Sequence, residues 1–412
     1  MAGLTRKRRR LLVLSGVLLG LLGGMALGCC GLLYKRAGGA FRGPPSAMEA
    51  NLSPGARKLL EDALAGLGSD GVVDYHVHLI GRDINPDWVS WCHPLQRART
   101  MVYLSAAGVG LNDSVVEDYE ARLLDLVRHI PTGGRFHVLA LDRTYRADGT
   151  ADPERTQVHV PNERAIDLAR RHPGLFIPVV SIHPYRADAI AELEKWAAAG
   201  GRHVKWIPNA MGIDPSSERL DPFYLRMRRL GMILLSHTGL ERALEAGDQD
   251  FGNPLLLRRP LDLGVRVVAL HSACDGTSAD LDSPRREEVP SFDLFVRLLG
   301  EPRYEGFLFG EISTLTFFRN AGGPLRKLLG RPDLHHRFVN GSDYPISAIN
   351  VALRTSTLVS EGLITNGDRT YLNEIYGYNP LLFDLAVKRT VRHPETGTKL
   401  AHCVFRVPGA LR

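Results

Sequence analysis

Eight short apolar runs alternate with segments of helical period along most of this chain, and that alternation constrains the fold more than any other feature. The runs lie at 72–78, 136–142, 175–183, 203–207, 232–237, 265–271, 306–312 and 337–343. Helical periodicity fits between them at 113–129, 163–172, 188–199, 221–230, 291–299 and 325–328. Strands separated by helix-sized crossovers pair in parallel, and eight β-then-α units point to a closed (β/α)8 TIM barrel rather than an open sheet. An amphipathic helix at 53–67 opens the domain and one at 371–389 closes it. The expected organisation is an N-terminal signal or membrane anchor over 1–36, a Gly/Pro/Ala/Ser linker over 37–52, the barrel over 53–390 and a C-terminal extension over 391–412.

The ends of these runs carry the chemistry. The first finishes in His76-Val77-His78, and because residues two apart share a strand face, Asp74, His76 and His78 are expected to stack along one side. Later runs end in Lys205, His237, His271 and Asp343. Lys205 and His237 are 32 residues apart, and His237 and His271 are 34 apart, each close to one β/α unit. Polar groups at strand C-termini of such a barrel face one mouth. Imidazole nitrogens and carboxylate oxygens together suit Zn²⁺ or a similar first-row ion. His76, His78, His237 and Asp343 suffice for one ion with room for water, and Asp343 is placed to take a proton from that water. Asp74 is expected one layer deeper, hydrogen-bonded behind the ligands.

With those residues in view the sequence resembles the metal-dependent amidohydrolase superfamily, of the Amidohydro_2 type. His76-Val77-His78, His237, His271 and Asp343 carry the resemblance in their strand order, together with the late Tyr376-Gly-Tyr-Asn-Pro-Leu-Leu-Phe383 segment, over roughly 70–390. It implies a hydrolase that cleaves an amide, ester, lactone or phosphoester bond of a small molecule. It also implies two versions of the site. In the binuclear one a carbamylated Lys205 bridges two ions and His271 joins His237 on the second. In the mononuclear one Lys205 is an ion-pair partner and His271 an acid/base. The position of Lys205 on the fourth strand favours the binuclear version. A lyase (decarboxylase or hydratase) with one metal is the alternative on the same barrel, and a catalytically silent, membrane-tethered binding protein is the rival from another class.

Substrate contacts are expected from Arg82, Trp88, His183, Arg186, Trp206 and Asn209, all just beyond strands, and from lid loops at 79–112 and 272–290. Glu311, ending the seventh run, is expected to touch substrate or cap the barrel. Aromatic walls with one or two guanidiniums would suit a flat or acyclic molecule bearing a carboxylate or phosphate.

Charge settles other questions. The chain has 51 Lys and Arg against 45 Asp and Glu. Eight of those bases (Arg6, Lys7, Arg8, Arg9, Arg10, Lys35, Arg36, Arg42) lie in 1–42, where there is no acid, so the globular part is near neutral. Nucleic-acid binding loses its electrostatic support. Arg6–Arg10 precede an uncharged apolar stretch at 11–34, long enough to cross a bilayer with the barrel on the non-cytoplasmic (periplasmic or extracellular) side. Export as a lipoprotein through Cys29, or as a soluble protein behind a cleaved or twin-arginine signal, are the alternatives. The five cysteines show no metal or disulfide spacing.

Overall fold

The computed structural model describes residues 34–68, 70–84 and 94–412. Eight strands form one parallel sheet in chain order: β1 (Val72–His78), β2 (Gly134–Leu139), β3 (Phe176–Val180), β4 (His203–Trp206), β5 (Ile233–His237), β6 (Val267–Leu270), β7 (Leu308–Glu311) and β8 (Phe338–Val339). All eight expected runs therefore become neighbouring strands. The two edges meet: Tyr75 N donates to Asn340 O at 2.9 Å, Asp343 N to His76 O at 2.7 Å and His78 N to Tyr344 O at 2.9 Å. These bonds bring β1 onto the segment just past β8, making a near-closed barrel whose strand C-termini surround one mouth.

Alternation along the strands separates two cores. Val77, Val138, Val204, Leu234 and Ala269 pack outward against helix residues such as Leu126, Ile166, Leu193 and Phe295. Val73, Leu139, Val179, Leu235, Val268 and Leu270 fill the interior. Each such buried aliphatic contributes roughly 1.5–3 kcal/mol relative to exposure.

The chain ends differ from expectation. Residues 391–412 are not an appendage: Leu411, with Val407 and Ala410 beside it, joins the interior cluster, and the Arg266 guanidinium donates to Ala410 O. The extension plugs the barrel at the end opposite the mouth. The stretch 37–52 carries a short helix, Met48–Asn51, and buries Met48 and Leu52 in the outer core. The closing helix is two, Asn366–Tyr376 and Pro380–Thr390. Asn379 caps the second by accepting from Leu381 N and Leu382 N, and Pro380 lacks the N–H that would continue the first. Among the described residues no helix is long and apolar enough to cross a membrane. The expected anchor lies outside the described residues except for Tyr34, Lys35 and Arg36.

Leu411→Ala would leave a void at the barrel base, and it is expected to lower unfolding free energy by about 2–3 kcal/mol in urea denaturation. Stability equal to the parent's would contradict the plug.

Candidate metal centre

The site starts from an irregularity in β1. Its pairing with β2 shifts register between Asp74 and Val77. The bulge turns two successive residues inward. The Tyr75 ring stacks on His137 with centroids 4.2 Å apart, while the His76 ring lies 5.0 Å from both His78 and His271. The expected single stack of Asp74, His76 and His78 is therefore not what forms. Asp74 accepts from His76 N and Ser342 N, both at 2.9 Å, and ties β1 to the segment after β8.

Three imidazoles are held in the same way. His76 Nδ1 lies 3.2 Å from Glu311 Oε2. His271 Nδ1 lies 2.8 Å from Ser313 Oγ, whose hydroxyl donates to Glu311 Oε2 at 2.6 Å. His237 Nδ1 lies 3.4 Å from Glu241 Oε2, and its Nε2 is buried without a hydrogen-bond partner. For His76 and His271 a carboxylate or an already donating hydroxyl accepts the Nδ1–H, and the Glu241 charge beside His237 Nδ1 favours a proton there too, so the tautomer assigned to all three leaves a lone pair on Nε2. Asp343 Oδ1 completes the set, 2.9 Å from His78 Nε2 and 3.3 Å from His76 Nε2. His76, His78 and Asp343 present ligand atoms within 4.8 Å of one another, as do His76, His271 and Glu311. These groups could hold a divalent ion. Glu311 faces the Nδ1 side of the rings, where it orients them.

Burial drives the electrostatics. Desolvation holds His76 and His271 well below the ordinary histidine range and lowers His237, so all three are neutral near pH 7. Lys205 Nζ sits 3.3 Å from His76 Nε2, and burial pulls it down to about 8 against the raising fields of Asp343, Glu241 and Glu311. Glu311 is raised to about 7 by burial, with Lys388 and the donors from Ser313 and His271 pulling it back. A Cβ at position 341 would come 2.5 Å from Glu311 Oε1, so only Gly341 permits that approach. Asp343, His271, Ser272 and Ala273 all have positive φ, a conformation that costs non-glycine residues of order 1–3 kcal/mol each and gathers at functional sites.

A cavity of about 230 Å³ opens above these groups. His78, Lys205, His237, His271 and Asp343 lie in its walls, with Tyr103, Glu241, Thr314 and Phe317. The expected substrate residues sit elsewhere. Trp206 is fully buried in the outer layer against Phe223 and Tyr224, because it faces away from Lys205 on β4. His183 is buried with Nε2 on Met211 O at 2.9 Å. Asn209 uses its amide to hold Gly239 O and Gln249. Arg186 pairs with Asp142 and Asp188 at a separate polar cavity, and exposed Arg82 pairs with Glu117. Trp88 lies outside the described residues. Glu241 and Ser313 were not foreseen. Glu241 follows His237 by four residues in a loop, where that spacing carries no periodic meaning. Glu311 stands at a strand end, but behind the rings rather than against substrate.

The amidohydrolase family model Amidohydro_2 matches residues 73–281. Among solved structures, an uncharacterised TIM-barrel protein from Bordetella bronchiseptica is similar at 16% identity and TM-score 0.47, covering 76% of this chain and 99% of its own. A putative 2-pyrone-4,6-dicarboxylic acid hydrolase from Pseudomonas putida is similar at 17% identity and TM-score 0.42, over 74% and 97%. The apo form of Metarhizium anisopliae IDCase is similar at 12% identity and TM-score 0.41, over 77% and 97%. No curated protein matches the sequence significantly.

Because His76, His237 and His271 bind protons less readily when folded than the ordinary value near 6.5, the unfolded chain protonates first as pH falls. The three rings' contribution to the stability of metal-free protein is thus expected to fall below about pH 6.5, while buried Glu311 and Asp384, both raised to about 7, act in the opposite direction. The check compares urea midpoints at pH 7.5 and 5.5 in the parent and in His271→Gln: the midpoint at 5.5 relative to 7.5 is expected to be higher in the variant, and an equal or lower one would refute the assignment. Glu241→Gln is expected to weaken zinc binding roughly 10- to 100-fold in competition titrations, because the His237 ring loses the negative charge beside its Nδ1.

Proposed function

The chain belongs to the amidohydrolase family, and from that premise we propose that it is a metal-dependent hydrolase cleaving an amide, ester, lactone or phosphoester bond of a small molecule. The supporting observation is the shared orientation of His76, His237 and His271, whose Nδ1 atoms are engaged behind the site while the opposite ring edges surround Lys205 and Asp343. Mixed imidazole and carboxylate donors in a buried setting fit zinc. His76, His78, His237 and Asp343 would hold one ion. Lys205, carbamylated by CO₂, would bring in a second with His271, and its pKa near 8 supplies the neutral amine that reaction needs. An ion bound there would contribute Lewis acidity, lowering the pKa of a water and polarising the bond under attack.

The protein's own groups do the rest. The Asp343 carboxylate takes the proton of the attacking water and returns it to the leaving group. Glu311, Ser313 and Glu241 keep the rings from rotating, so that no reorganisation is needed during the reaction. The cavity walls exclude bulk water from the scissile bond. The N-terminal segment tethers the enzyme to a membrane, with the barrel on the non-cytoplasmic side.

Elemental analysis with and without bicarbonate tests the centre. Two ions per chain, falling to one in Lys205→Ala, are expected. One ion, indifferent to that change, would favour the mononuclear lyase instead. His237→Ala and Asp343→Asn are each expected to lower turnover at least about 10³-fold with unchanged circular dichroism. Full activity in either variant would sink the proposal.

A further inference from the structure

We propose that the barrel mouth lies against a lipid bilayer and that the substrate is an amphiphile whose apolar chain fills the cavity beside the metal centre. This rests on the hydrolase and membrane-tether readings above, and names the substrate class they leave open.

Beside Lys205, the imidazoles and Asp343, the cavity walls carry a run of apolar side chains, Ile80, Leu141, Ile207, Leu244, Phe317 and Ile346, and a second charged set around Asp275. The guanidiniums in its walls, Arg242 and Arg319, grip one carboxylate. Arg242 meets Asp275 through Nε at 2.9 Å and Nη2 at 3.0 Å, and Arg319 through Nε at 3.2 Å and Nη2 at 2.9 Å. Each engages the Nε edge of its fork on Asp275, which offsets one of the two charges. The apolar run gives a hydrocarbon chain a seat, with its ester or amide head toward Lys205 and the imidazoles.

The N-terminal segment leaves the protein at this same mouth. Gly38 O accepts from Asn350 N at 2.9 Å, Ala37 O from Val351 N at 3.2 Å and Arg36 O from the Asn350 side chain at 3.2 Å. Asn350 and Val351 belong to the loop that leaves Asp343 and lines the cavity through Pro345 and Ile346. On the other side, Gly39 N donates to Ser105 Oγ at 3.3 Å, on the helix Pro94–Ala107 that follows β1. In sequence, the apolar stretch 11–34 immediately precedes these residues bonded to the mouth. The rim beside it suits a headgroup layer. Phe318 and Val351 are exposed, the first bonded through its N–H to Ala352 O, and the guanidiniums of Arg354 and Arg319 lie 4.6 and 5.3 Å from the Phe318 ring centroid. With exposed Lys35 and Arg36 they make an apolar patch fringed by cations, the pattern that settles at an anionic lipid surface.

The full chain, reconstituted with zinc in phosphatidylcholine–phosphatidylglycerol vesicles, tests both halves. Against p-nitrophenyl acetate, hexanoate and decanoate, kcat/KM is expected to rise about fourfold per methylene, equivalent to about 0.8 kcal/mol each. Leu244→Glu is expected to cut the decanoate-to-acetate ratio at least tenfold. A flat or falling series overturns the substrate class and leaves the hydrolase standing. Benzoylphenylalanine at Val351 should photo-crosslink to lipid, and at Thr132, exposed just before β2 at the far end of the barrel, it should not. Equal labelling at both, or none at either, overturns the membrane-facing mouth. If no ester, amide, lactone or phosphoester turns over, the hydrolase reading falls. Calorimetry then decides the cavity separately: decanoate bound at least tenfold tighter than succinate upholds it, and the reverse refutes it.

Discussion

The hydrogen bonds that hold imidazole Nδ1 atoms from behind are the interaction on which the rest of this centre depends. A free ring can rotate and exchange tautomers, and a site built from free rings would present donors as often as lone pairs. Glu311 removes that freedom for two histidines at once, directly for His76 and through Ser313 for His271. Glu241 sets a carboxylate charge 3.4 Å from His237 Nδ1. Such partners act only because they are buried, where a hydrogen bond is strong and an unmade one is costly.

Burying those carboxylates requires compensation, and the fold supplies it from outside the barrel. Lys388, on the helix Pro380–Thr390, is fully buried and donates to Asp384 Oδ2 and Gly341 O, each at 2.6 Å. Its charge acts on Glu311 and Asp74 as well as on Asp384, which burial raises to about 7. Breaking such a network by removing one partner leaves an unpaired buried charge, which is costly. The helix that closes the sequence is thus electrostatically part of the mouth, although none of its side chains lines the cavity.

The two ends of the barrel are treated in opposite ways. The C-terminus seals one with Leu411 and its neighbours, completing an apolar interior beneath the polar layer. The N-terminal residues 36–39 dock at the other, beside the cavity. Strand polarity makes this division possible: parallel strands place every C-terminal side chain at one rim, so a single rim collects ligands while the other needs only to be closed.

Much of this was legible in the chain before any coordinates. Eight apolar runs and the residues ending them, His76, His78, Lys205, His237, His271 and Asp343, are local patterns, and the backbone imposes their consequence wherever parallel strands close. What strand period could not reveal was the bulge that sends Tyr75 and His76 inward together, since a single extra residue shifts the phase without changing composition. Nor could it place Asn209, Leu244 and Phe317, because residues past a strand follow no period, whereas Trp206, inside β4, faces away from Lys205 as alternation requires. The sequence by itself determined which groups reach the mouth; only the tertiary structure decided which nitrogen of each ring faces it, what orients that ring and where the polar walls stop. Those are settled by contacts between segments as far apart as Asp74 and Ser342, and the chain carries no local signal for them.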